Sequence, residues 1–173
     1  MRTHELNGNL QVIEDYNLFS KNIGQVFEIF AKCFGKEIMT KTDLYIDNAT
    51  EKSGYTPIIT PVLEKYLIIK LGIDDFKDEE RIVYQFSHEL CHYVFFSLLG
   101  INKDLNNKNE ESICSAMSLV IIKIIFSEEI FKYWCNNVSK LKEDYYQKGL
   151  EIAKNINFDL NELKKLIFDT CSK

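Results

Sequence analysis

Five consecutive residues, His88-Glu89-Leu90-Cys91-His92, set two imidazoles four positions apart with a carboxylate beside the first. On an α-helix, side chains at i and i+4 lie one above the other on the same face. Two imidazoles so placed can converge on one ion, with Zn–N distances of roughly 2.0–2.1 Å. Glu89 follows His88 directly and projects about 100° further around the helix axis. That direction is poor for sharing the ion and good for taking a proton from water bound to it. The chemistry expected of the segment is hydrolysis by metal-activated water, with Glu89 as general base.

A catalytic zinc usually has three protein ligands and one open position. His88 and His92 therefore need a partner. The remaining histidine, His4, stands near the start of the sequence, where chains are rarely held in place. The partner is expected to be a carboxylate or a thiolate. Glu110-Glu111-Ser112-Ile113-Cys114 offers both kinds, and eighteen residues separate His92 from Glu111. Either acid would also suit a helix N-terminus, and Cys114 suits a small buried thiol.

The elements that must carry these residues follow from periodicity. Apolar residues at helical spacing predict a helix from Leu18 to Phe34, ended by Gly35. Alternation around 43–47 and 67–71, and the Ile58-Ile59 pair between Pro57 and Pro61, predict three short strands, with Ser53-Gly54 as a turn. Proline cannot donate to a ladder, so the Pro57–Pro61 segment is expected at a sheet edge or in a loop, and more readily as a plain loop than as a rail for substrate. A helix is expected over Asp78–Leu99, stopped by Gly100, then a polar loop over Ile101–Asn109. A largely apolar helix from Glu110 to Phe126 should run through the core. Ser127 is expected to cap one helix reaching toward Asn155, and Asp159-Leu-Asn-Glu162 resembles a capping box for a last helix. The resulting class is α+β, mostly helical, with a small antiparallel or mixed three-stranded sheet before the motif helix.

A chain of 173 residues suits one domain, 1–173. The net charge is −5, without a dense cluster of Lys and Arg, so no nucleic-acid partner is expected. The most apolar stretch, Ile113–Phe126, is too short for a bilayer and contains Lys123, so no membrane partner is expected either. Five cysteines without a CxxC pair argue against a disulfide framework. Met1–Tyr16 lacks the apolar run of a signal peptide, which makes the cytoplasm the expected location.

HExxH followed by eighteen residues and a glutamate resembles the gluzincin branch of zinc metallopeptidases. The stretch Glu111-Ser-Ile-Cys-Ser-Ala-Met-Ser is similar to the glutamate helix of small ImmA/IrrE-type metallopeptidases. The resemblance covers roughly residues 78–120. It implies a zincin-like fold, Zn2+ held by His88, His92 and Glu111, and Glu89 as the catalytic base. It also implies a peptide or protein substrate, paired with an edge strand near Leu67–Leu71 or Ile58–Thr60. A downstream residue for the transition state is a further implication, with Tyr133, Tyr145 and Tyr146 as candidates. On this pattern Glu111→Ala should lose zinc while Glu110→Ala keeps it. The alternative is a catalytically inactive zinc-binding regulatory protein of the same fold, for which an intact Glu89 would have no use.

Overall fold

The computed structural model describes residues 10–49, 57–63, 65–101, 103 and 107–172. His4 and the Ser53-Gly54 turn lie outside the described residues. The chain runs through α1 (Leu10–Phe34) and α2 (Lys36–Met39) into strands β1 (Asp43–Asn48), β2 (Ile58–Val62) and β3 (Tyr66–Leu71). Helices α3 (Glu79–Leu99), α4 (Lys108–Ile125), α5 (Glu128–Val138), α6 (Asp144–Asn155) and α7 (Leu160–Cys171) follow. This is a mostly helical α+β fold with a small sheet before the motif helix. Among the described residues, no helix is long and apolar enough to cross a membrane.

The sheet is mixed, in the order β1-β3-β2, with β1 parallel and β2 antiparallel to β3. Leu67, Ile69 and Leu71 alternate along β3 and are fully buried on the face that packs on α3. One sequence expectation changes here. The Leu67–Leu71 segment is the central strand, with both its edges already paired, so it cannot take an added strand. The Pro57–Pro61 segment takes the expected place at the sheet edge, where its residues from Ile58 onward form strand β2. Pro61 is tolerated there for a local reason. The N–H of Ile59 points away from β3 and donates to Glu89. Pro61, two residues on, has the same parity, so its missing N–H leaves the ladder intact.

Side chains fasten this sheet to the helix beneath. The Gln85 amide oxygen accepts from Gly72 N at 3.0 Å. The Tyr93 hydroxyl donates to Thr42 O at 2.7 Å. These two α3 residues bracket the His88–His92 segment and hold it in register with the strands. Asn48 adds a clasp at the strand ends, donating to Ile73 O and accepting from Ile73 N, both at 2.9 Å. Asp78 caps α3 by accepting from Arg81 N at 3.1 Å, and Gly100 ends it at φ +95°, a left-handed conformation that glycine adopts without strain.

Helix α4 begins at Lys108, two residues earlier than expected, because the Asn107 side chain accepts from both Asn109 N and Glu110 N. Glu110 and Glu111 therefore sit in its first turn. The single helix expected from Ser127 toward Asn155 is two helices, broken at 139–143. An unbroken helix of that length would extend about 42 Å and outrun the core. Doubled back, both halves pack on α4. Asp159 caps α7 as expected, accepting from Asn161 N and Glu162 N. Glu162 does not complete the box; it pairs with Lys165 at 2.5 Å.

Gly149 is the point where α6 touches α4 backbone to backbone. A Cβ there would lie 2.6 Å from Ser115 Cβ and 2.8 Å from Ser112 O. Gly149→Ala is expected to lower stability by about 1–3 kcal/mol through overpacking, against a gain of up to ~1 kcal/mol from helix propensity. A lower urea midpoint at unchanged slope would show it; a raised midpoint would contradict the close approach.

Candidate metal centre

His88 and His92 on α3 and Glu111 on α4 come together. His88 Nε2 lies 3.3 Å from His92 Nε2 and 3.2 Å from Glu111 Oε2, and His92 Nε2 lies 3.4 Å from Glu111 Oε1. Ligands about 2.0–2.1 Å from a tetrahedral zinc stand roughly 3.3–3.4 Å apart. The two Nε2 atoms stand at that separation, and each faces a different oxygen of the one Glu111 carboxylate at a similar distance. Two nitrogens and one carboxylate are also a donor set that zinc accepts. Among the described residues, this group contains three side chains, and Glu111 is the most exposed of them at 30%.

Glu110 has a different place. Its Oε1 lies 2.6 Å from His92 Nδ1 and 2.5 Å from Lys103 Nζ. His92 donates its Nδ1–H to this carboxylate, so Nε2 is the atom that would face a metal once its proton is displaced. A carboxylate behind a metal-binding imidazole fixes its tautomer and raises its basicity. Lys103 is almost fully buried and lies 4.4 Å from the centre of the Phe96 ring, an added cation–π contact. The charges balance simply. Glu89, Glu110 and Glu111 against Lys103 leave −2 with neutral imidazoles, which a divalent cation would neutralise.

A second group, His92, Glu110 and Cys114, also brings donor atoms together. It is a poor cation site. The Lys103 ammonium already occupies Glu110, and His92 Nδ1 carries the proton it gives to that carboxylate. Burial pushes the Cys114 thiol well above its ordinary range, and the hydrogen bond with Cys91 adds to the effect. A protonated thiol is not a ligand. All five cysteines are free.

Glu89 is 5% exposed. Burial raises its carboxyl above the usual range, while His88, His92 and the Ile59 N–H pull it back. A carboxylate raised toward neutrality, held beside the imidazoles, suits a general base. Glu111 moves the other way: burial would raise it, but hydrogen bonds from His88 and His92 outweigh burial and hold it well below the carboxylate range. For His92, burial alone would lower the imidazole, yet Glu110 and Glu111 push it from 6.5 up to about 10.

In the metal-free protein, His92 thus binds its proton more tightly folded than unfolded. The resulting stability is fully present below about 6.5 and is lost as pH rises through about 10. A metal must displace that proton. Zinc uptake at pH 7 is expected to release about one proton per ion, with affinity rising with pH. Calorimetry in buffers of different ionisation enthalpy reads this directly; uptake without proton release would remove His92 from the ligand set.

Of the three tyrosines expected as candidates, Tyr133 stands edge-on to Trp134 at 6.4 Å. Tyr145 and Tyr146 lie against each other at 4.4 Å at the start of α6. Sequence reasoning passed over Tyr84, although it precedes His88 by four residues and shares its face. It also passed over Lys103, for which a lysine in a polar loop gave no signal.

Comparison with known protein families, with curated proteins and with solved structures finds no match. The functional reading therefore stands on the geometry of the site.

Proposed function

We propose that this chain is a zinc-dependent hydrolase, a peptidase of the gluzincin type, acting on a peptide or protein in a reducing cytoplasm. One observation carries the proposal: the Nε2 atoms of His88 and His92, 3.3 Å apart, both face the Glu111 carboxylate, at 3.2 and 3.4 Å, with Glu89 alongside. A bound zinc ion supplies Lewis-acid polarisation of the scissile carbonyl and brings the pKa of water down to about 7. The chain's own residues do the rest. Glu89 takes the proton of the attacking water at its carboxylate and passes it to the leaving amine. Glu110 keeps His92 in the tautomer that presents Nε2. The Ile59 N–H orients Glu89 from the strand that forms the near edge of the sheet. That edge is where an extended peptide would pair, through carbonyls of β2.

A structural zinc site is usually closed by four protein ligands; three favour a catalytic one. The test is incubation of the zinc-loaded protein with a mixed peptide library, read by mass spectrometry. New peptide termini should appear, vanish with a chelator and return with added zinc. An uncut library at full zinc occupancy would instead support the inactive zinc-binding regulatory protein.

A further inference from the structure

A cavity of about 280 Å³ opens between α3, α5 and α6. Its walls are aromatic. Tyr84 and Trp134 stack with ring centres 4.4 Å apart and planes 17° apart. Tyr133 and Tyr146 also line it. Glu80 sets a carboxylate among the rings, where its Oε2 accepts from Trp134 Nε1 at 2.9 Å. At the exposed rim, Asp78 and Arg81 pair with each other at 3.6 Å. The charged lining groups are two acids and one base, a net −1. The Tyr84 hydroxyl is buried and has no hydrogen-bond partner among the described residues.

The cavity lies one helical turn from His88 along α3. Tyr84 lies one helical turn before His88 on the same face. Tyr146 lies one turn before Gly149, whose backbone rests on Ser112, the neighbour of Glu111. A peptide with its scissile bond at the metal centre would have a side chain within reach of the rings.

We propose that this cavity is the subsite for a cationic side chain, Lys or Arg, of the cleaved peptide. The placement as a subsite rests on the proposed peptidase function; the cationic preference does not. Aromatic faces attract cations, most strongly where water is excluded. Glu80 adds a full charge. The volume is at the small end for ligand sites, which fits one long side chain better than a whole small molecule. An aliphatic stem can pack on the apolar wall while its head reaches the acid. A neutral aromatic guest would instead strip water from Glu80 without replacing its charge partner.

Trp134 is the only tryptophan in the chain, so its fluorescence reports on the cavity alone. The experiment titrates the metal-free protein with Nα-acetyl-lysine amide and Nα-acetyl-arginine amide, and with the norleucine and phenylalanine amides as neutral controls. The cationic amides should give a saturable change, with the neutral ones at least about fivefold weaker. Glu80→Gln keeps an acceptor for the Trp134 N–H and should weaken the cationic amides about tenfold. No saturable response to either cation, an equal response to a neutral amide, or unchanged affinity in Glu80→Gln would overturn the proposal. None of these readouts needs metal or turnover, so they fail separately from the peptidase reading. With zinc bound, cut peptides should carry Lys or Arg beside the new termini; cuts without that bias would overturn the placement.

Discussion

Glu89→Gln is expected to keep one zinc per chain and to lower kcat by about 10²–10⁴-fold, the range for losing a general acid–base group. Glutamine has the same shape, and its amide oxygen can still accept from the Ile59 N–H. What it loses is the ability to hold a proton. Folding should not suffer, because the substitution removes a buried carboxylate whose burial already works against its ionisation. Zinc content and peptide cleavage, measured on the same preparation, separate the outcomes. Normal turnover would exclude Glu89 as the base, and loss of zinc would make it a ligand.

The second large effect separates Glu110 from Glu111. Glu111→Ala removes one of three ligands and should abolish stoichiometric zinc while the chain stays folded. Glu110→Ala should act through two neighbours at once. His92 loses the carboxylate that orients it, which typically weakens metal binding 10–100-fold, or about 1–3 kcal/mol. Lys103, nearly fully buried against that carboxylate, becomes an uncompensated charge. Breaking a buried pair in this way costs about 3–5 kcal/mol of stability. The expectation from sequence that Glu110→Ala would leave zinc untouched is therefore replaced: Glu110 is a positioning residue. Denaturant midpoints beside metal analysis check the pair. A fully stable Glu110→Ala protein with unweakened zinc would contradict the role assigned to Glu110.

Much of the site was legible because it is local. Two histidines four apart on a helix must share a face, and a helix following a short loop must return an early residue to them. What sequence could not show depends on contacts across the fold. Glu110 and Glu111 are chemically identical neighbours, and only the rotation of α4 against α3 decides which one meets both Nε2 atoms. Lys103 reaches Glu110 from a segment whose composition says only that it is polar. Two strands are visible from alternation and the third from Ile58-Ile59 between prolines, but their order is set by long-range pairing, so the sequence leaves the most regular of them a possible edge when it is the centre. The α5–α6 break carries neither glycine nor proline. It arises because α4 offers a surface on which both halves can pack, with Gly149 allowing the closest contact.

X-ray absorption at the zinc edge of the loaded protein tests the convergence of His88, His92 and Glu111 most directly. The expected spectrum has a first shell of nitrogen and oxygen at roughly 2.0–2.1 Å, with the outer scattering of two imidazoles and no sulfur. A zinc–sulfur distance of about 2.3 Å would place the ion at Cys114 instead, and a spectrum without imidazole scattering would contradict the site altogether.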